Sequence, residues 1–163
     1  MPARKHIHAI TLDEASFIKR SEVIEAERAV AMSDLLKENY FAPLKPNGEK
    51  FPGPFDLELG IEGGALSMII RDHEHDHEIV KRIQISLTPF RTVVKEYFMI
   101  CDTYYRVLKD ASPSKIEAID MGRKSIHNDG ASLLMERMKK HVEMDEATAR
   151  RIFTLICVLH IRV

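Results

Sequence analysis

The chain has 163 residues, 45% hydrophobic and 30% charged, with a formal net charge of −1 and a sequence pI near 6.7. That length and composition fit one globular domain over residues 1–163, with material for a full core. The balanced charge argues against a dedicated nucleic-acid or membrane-surface binder, which carries a basic excess.

Basic residues come in pairs, Arg4-Lys5, Lys19-Arg20, Lys139-Lys140 and Arg150-Arg151, so a local anion site stays open. No apolar stretch follows the charged start Met1 to His6, and no secretory signal is expected. The longest apolar run, Ile152 to Leu159, includes Thr154 and falls far short of the roughly 20 residues that span a bilayer. A cytoplasmic location without a membrane anchor is the expectation. Cys101 and Cys157 each lie in an apolar helical pattern with no CxxC pair, and read as buried free thiols in a reducing compartment.

Lys5 to Leu12 reads as a short strand, with His6 and His8 on its solvent face. Ser21 is placed to cap a helix from Glu22 to about Asn39, on which Glu27, Asp34 and Glu38 form an acidic strip read as a solvated face. Pro43, Pro46, Gly48, Pro52, Gly53 and Pro54 punctuate one long loop, Ala42 to Pro54, the candidate mobile segment. Period-two alternation then runs through Phe55, Leu57, Leu59 and Ile61. After a Glu62-Gly63-Gly64 turn it resumes through Leu66, Met68 and Ile70, and again through Ile79, Ile83, Ile85 and Leu87. One apolar face at period two marks an antiparallel sheet covered on one side.

Leu87 to Leu108 follows as the expected core helix, with Thr88 as N-cap and Pro89 at the first helical position. Phe90, Val93, Val94, Tyr97, Phe98, Cys101, Tyr104, Tyr105 and Leu108 share one face at 100° per residue. Each large apolar side chain buried there contributes about 1.5–3 kcal/mol. Ser112-Pro113 starts another helix, which Asn128-Asp129-Gly130 is placed to break before a further piece from Ala131 to about Lys140. Asp145 caps a last helix ending near His160. That helix is apolar almost all round, and is therefore central or at a homodimer interface. The expected fold is α+β: an antiparallel three- or four-stranded β-meander covered on one face by four or five helices.

Glu27-Arg28-Ala29-Val30-Ala31, Leu87-Thr88-Pro89-Phe90-Arg91, Ile116 to Arg123, His127-Asn128-Asp129-Gly130 and Arg151 to His160 together carry a likeness. On these segments the chain resembles a family of small cytosolic alphaproteobacterial proteins, the uncharacterised protein family UPF0262. The likeness covers nearly the whole chain and is weak between Gly60 and Val80, where an acidic, histidine-rich connection is this chain's own. It implies no activity, cofactor or catalytic residue.

The residues themselves offer two places for chemistry. Asp120, Arg123, Lys124 and His127 stand at i, i+3, i+4 and i+7, within about 100° of one helix face that is otherwise apolar. One reading is an anion site, with Arg123 and Lys124 holding a phosphate or carboxylate, His127 as general acid or base and Asp120 orienting one of them. The plainer reading is an Asp120–Arg123 ion pair with His127 at the helix end. The second place is Asp72 to Glu78, where His73, His75 and His77 point one way if the segment is extended. Imidazoles suit zinc, nickel or copper, but a hairpin tip without supporting partners reads as a solvated loop that takes up metal only adventitiously.

Tyr97, Tyr104 and Tyr105 read as core-stripe residues, and Cys101 beside Asp102 as a poor nucleophile. No phosphate-binding loop, dinucleotide fingerprint, nucleophile elbow or zinc-protease motif is present, and no cofactor is expected. Two functional readings follow. One is a non-catalytic, self-associating adaptor with a flat surface, in which the last helix and the outer sheet face make a homodimer or partner interface. The other is a small enzyme or ligand-binding protein with a concave pocket lined by Arg123 and His127.

Overall fold

Period-two alternation after Pro54 produces the sheet. The computed structural model describes residues 4–13, 22–110 and 112–160. Strands β3 (Phe55–Glu62), β4 (Ala65–Asp72) and β5 (Ile79–Ser86) pair antiparallel in that order. Phe55, Leu57 and Leu59 on β3 and Leu66, Met68 and Ile70 on β4 are buried on the inner face. Gly63 and Gly64 turn the first hairpin at φ of 54° and 77°, the left-handed region a two-residue turn of this hand requires.

The expected all-antiparallel sheet needs one correction. Strand β1 (Ile7–Leu12) adds to the outer edge of β3 in parallel, giving a mixed, mostly antiparallel sheet in the order β1-β3-β4-β5. Parallel neighbours need a long crossover, and helix α1 (Glu22–Lys37) lies within this one. Asn39 ties the end of the helix to the strand. Its Oδ1 accepts from the Ile7 N–H at 2.7 Å, and its amide donates to the carbonyls of Ile7 and Leu35. The Ser21 cap expected for α1 lies outside the described residues.

The proline- and glycine-rich stretch is not all loop. Strand β2 (Phe41–Pro43) pairs antiparallel with β6 (Val142–Met144) in a second small sheet. Beyond it, Leu44 N–H donates to the His141 carbonyl and Phe51 N–H to that of Pro43. Lys81 adds a third tie, donating to the Leu44 carbonyl at 2.7 Å.

Among the described residues there are four α-helices, of which α2 (Arg91–Val107), α3 (Pro113–Met138) and α4 (Glu146–His160) follow the sheet. The centre is α4, not the helix after Thr88. Every α4 residue from Ile152 to Leu159 is buried, against Val94, Tyr97 and Cys101 on α2, and Leu108 is 43% exposed. Helix α4 packs on β3 and between α1 and α3, so its apolar run is covered within one chain. Thr88 caps nothing with its side chain. Residues Thr88–Phe90 make a 3₁₀ turn that leads into α2 at Arg91. Ser112 and Asp145 do cap, accepting from the N–H groups of Lys115 and Thr148.

The predicted break at Asn128-Asp129-Gly130 is also overturned, since α3 runs unbroken through it. Gly130 is a packing residue. A Cβ there would lie 2.5 Å from the Phe153 ring of α4, so glycine lets the two helices approach. Among the described residues, no helix is long and apolar enough to cross a membrane.

Candidate functional site

Helix α1 buries Ile24, Glu27, Ala31 and Leu35 as one stripe. Glu27 is 4% exposed, so this member of the expected solvated strip is instead an interior charge. Helix α2 answers it with side chains four residues apart. Tyr97 donates to Oε1 at 2.7 Å, the Cys101 thiol to the same oxygen at 3.3 Å, and Tyr105 to Oε2 at 3.2 Å. Arg123 of α3 completes the set, with Nη2 2.6 Å from Oε2.

A buried charge persists only when it is paired and hydrogen-bonded. Burial pushes the Glu27 carboxyl up. The Tyr97 hydrogen bond and the Arg123 charge, with further bonds from Arg123 and Cys101, outweigh it and hold Glu27 below its ordinary value. Burial and then Glu27 drive the Cys101 thiol up to about 12. Cys101 is thus the poor nucleophile expected, though Glu27, and not Asp102, supplies the opposing charge. Burial lowers Arg123, but Glu27 more than reverses the effect. The guanidinium also lies 5.0 Å from the Tyr104 ring centroid, and its buried Nε has no hydrogen-bond partner among the described residues.

One turn along α3, His127 packs against the Tyr97 ring and sits 3.4 Å from Thr154 Oγ1 of α4. The Thr154 hydroxyl donates to the Arg150 carbonyl, which makes His127 Nε2 the donor in its contact with Thr154. Burial, then Arg123, holds His127 below its ordinary value.

Between α1, α3 and α4 opens a pocket of about 180 Å³. Arg123 and His127 line it from one side, Glu27 and Asp34 from another, and Arg150, Arg151 and Thr154 from the third. The Arg123 charge is answered by Glu27. Among the described residues, the guanidiniums of Arg150 and Arg151 make no ion pair and no side-chain hydrogen bond. The pocket therefore keeps a cationic excess over Asp34.

Of the residues expected on this face, Arg123 and His127 reach the pocket. Asp120 and Lys124 do not line it; Asp120 lies 3.5 Å from Lys124, which is 71% exposed, and 3.9 Å from Arg123. Sequence reasoning missed Glu27, although its place in the stripe Ile24, Ala31, Leu35 was a usable signal. It noted Arg150-Arg151 only as a basic pair. The histidine tract is a hairpin tip and is not extended: β4 ends at Asp72, and residues 73–77 form turns. His75 pairs with Asp72, while His73 and His77 converge on Asp56.

The model of the Uncharacterised protein family (UPF0262) matches residues 4–162. A UPF0262 protein of Erythrobacter litoralis is 47% identical over 160 residues, covering 98% of this chain and 99% of its own. Another, of Paramagnetospirillum magneticum, is 46% identical over 162 residues, 99% of each chain. One from a Bradyrhizobium species reaches 51% over 154 residues, 94% of this chain and 89% of its own. No solved structure matches. With family model and relatives agreeing over nearly its full length, the chain belongs to the Uncharacterised protein family UPF0262.

Proposed function

We propose that this protein binds a small anion, a phosphate or carboxylate group on a metabolite, in the pocket between α1, α3 and α4. The observation that carries the reading is that Arg150 and Arg151, whose guanidiniums make no ion pair among the described residues, line a concavity that also holds His127. Arginine forks match phosphate and carboxylate geometry, and these two are not committed to an ion pair with another described residue. Arg123 acts differently from the sequence-based expectation, because its first commitment is Glu27 at 2.6 Å. It forms the pocket wall, and Arg150 and Arg151 are the free hands. The self-associating adaptor reading drew on the outer sheet face and on the apolar run of α4, and the second of these is covered inside one chain.

Thermal unfolding with inorganic phosphate, succinate or chloride at equal ionic strength tests the reading. A ligand at a hundredfold excess over its Kd stabilises by about 2.7 kcal/mol. Phosphate or succinate should raise the Tm of the wild type and leave the Arg150→Ala/Arg151→Ala variant unmoved. No effect on the wild type, or equal effects on both, would refute the pocket as an anion site.

A further inference from the structure

The histidine hairpin carries a second inference, independent of the helical pocket. Asp56 stands on β3 on the sheet face opposite the core, and two imidazoles are folded onto its carboxylate. His73 Nδ1 is 2.9 Å from Oδ1, and His77 Nδ1 is 2.7 Å from Oδ2. One ligand atom from each of the three residues lies within 4.8 Å of the other two. We propose that Asp56, His73 and His77 bind a divalent transition-metal ion of the zinc class.

The donor set fits that class. Two neutral imidazoles and one carboxylate are the nitrogen and oxygen ligands that zinc takes at about 2.0–2.2 Å, whereas magnesium and calcium prefer all-oxygen sets. On binding the ion each imidazole gives up the Nδ1 hydrogen that it donates to Asp56 and carries its hydrogen on Nε2, so that Nδ1 presents a lone pair and the proton passes to solvent or to Nε2. Three protein ligands leave a fourth tetrahedral position open to water or a ligand.

The segment is also held against the sheet. His73 N–H donates to the Pro54 carbonyl at 3.0 Å, and the His8 ring stacks on the His73 ring at 3.8 Å. Asp76 and His77 both hold φ of 54°, as the two central residues of a tight hairpin turn closed by the Glu78 N–H on the His75 carbonyl, and Arg71 donates to the His77 carbonyl. That turn carries the His77 ring back over Asp56. His75, by contrast, faces away to Asp72 and is no part of the set.

The test is calorimetric titration of the untagged full-length chain with zinc alone and with magnesium alone, in metal-free buffer. One zinc should bind per chain, with magnesium silent. His73→Ala and His77→Ala should each weaken zinc binding by about 100-fold or more, the scale already reached by losing supporting partners. His75→Ala should leave it unchanged. Cobalt titration should show intense d–d absorption in the wild type, lost in Asp56→Asn, with circular dichroism verifying that the variant is folded. Absence of saturable zinc binding would overturn the site. An equal loss in His75→Ala would also overturn it, by identifying an unstructured histidine tract.

Discussion

Around Glu27 and around Asp56 the chain does the same thing in two different media. Each carboxylate collects donors from distant segments: Tyr97, Cys101, Tyr105 and Arg123 on Glu27, and His73 and His77 on Asp56. Side-chain exposure is 3% for Glu27 but 20% for Asp56, and the His77 side chain is 59% exposed. Inside the helical layer the donors must be present, because a buried carboxylate without them would be expelled or neutralised. On the sheet surface water could satisfy the same carboxylate, so its own solvation does not require the two imidazoles that the hairpin turn carries onto it. An interior cluster is explained by the fold; an exterior one points to a ligand.

The sharpest way to break that contrast is to remove each acceptor. Glu27→Ala leaves the half-buried Arg123 without its main partner and the buried Tyr97 hydroxyl without its acceptor, and should cost about 3–5 kcal/mol in urea unfolding. Asp56→Ala should cost under about 1 kcal/mol. Similar losses at the two positions would mean that burial is not what separates the clusters.

A smaller effect tests whether the interior cluster depends on helix packing. Gly130→Ala drives a methyl to within 2.5 Å of the Phe153 ring. Overpacking of that kind costs about 1–3 kcal/mol, although alanine is the better helix former by about 1 kcal/mol. A rigid ring cannot yield as a flexible chain end would, so net destabilisation is expected in the same unfolding assay. It should come with weaker phosphate stabilisation, because α3 and α4 together frame the pocket.

The mildest test is pH. The groups facing His127 are Arg123 from α3, Glu27 from α1, Arg150 from α4 and Asp120 from its own helix. Its folded value lies below the ordinary 6.5, so stability present above that pH is lost as pH falls through the depressed value. Glu27 is likewise depressed from 4.5, and its contribution, present above that pH, is lost at still lower pH. Unfolding free energy should therefore decline on acidification in two stretches. His127→Gln should shrink the upper one, leaving the part due to His141, which burial and Lys81 also hold low. An unchanged upper stretch would show that His127 titrates as if in water.

What periodicity reports is which face of an element is buried, and here that was legible. The alternation from Phe55 to Ile70 became β3 and β4, and Ser112-Pro113 and Asp145 started α3 and α4 where their chemistry placed them. The all-round apolar character of α4 marked it as central or interfacial, and it is central. Arg123 and His127 were legible as charges that interrupt an apolar face. Partners were not legible, because pairing depends on which buried face meets which. Glu27 and Arg123 are 96 residues apart, and nothing local to either names the other. The parallel seat of β1, the β2–β6 pair and the approach of Asp56 to His77 belong to the same class, since each is a contact between segments whose own patterns are complete without it. Asn128-Asp129-Gly130 shows the rule from the other side. Read locally it is a turn signal, yet the Phe153 ring makes Gly130 the residue that lets two helices touch, and packing overrode the local preference.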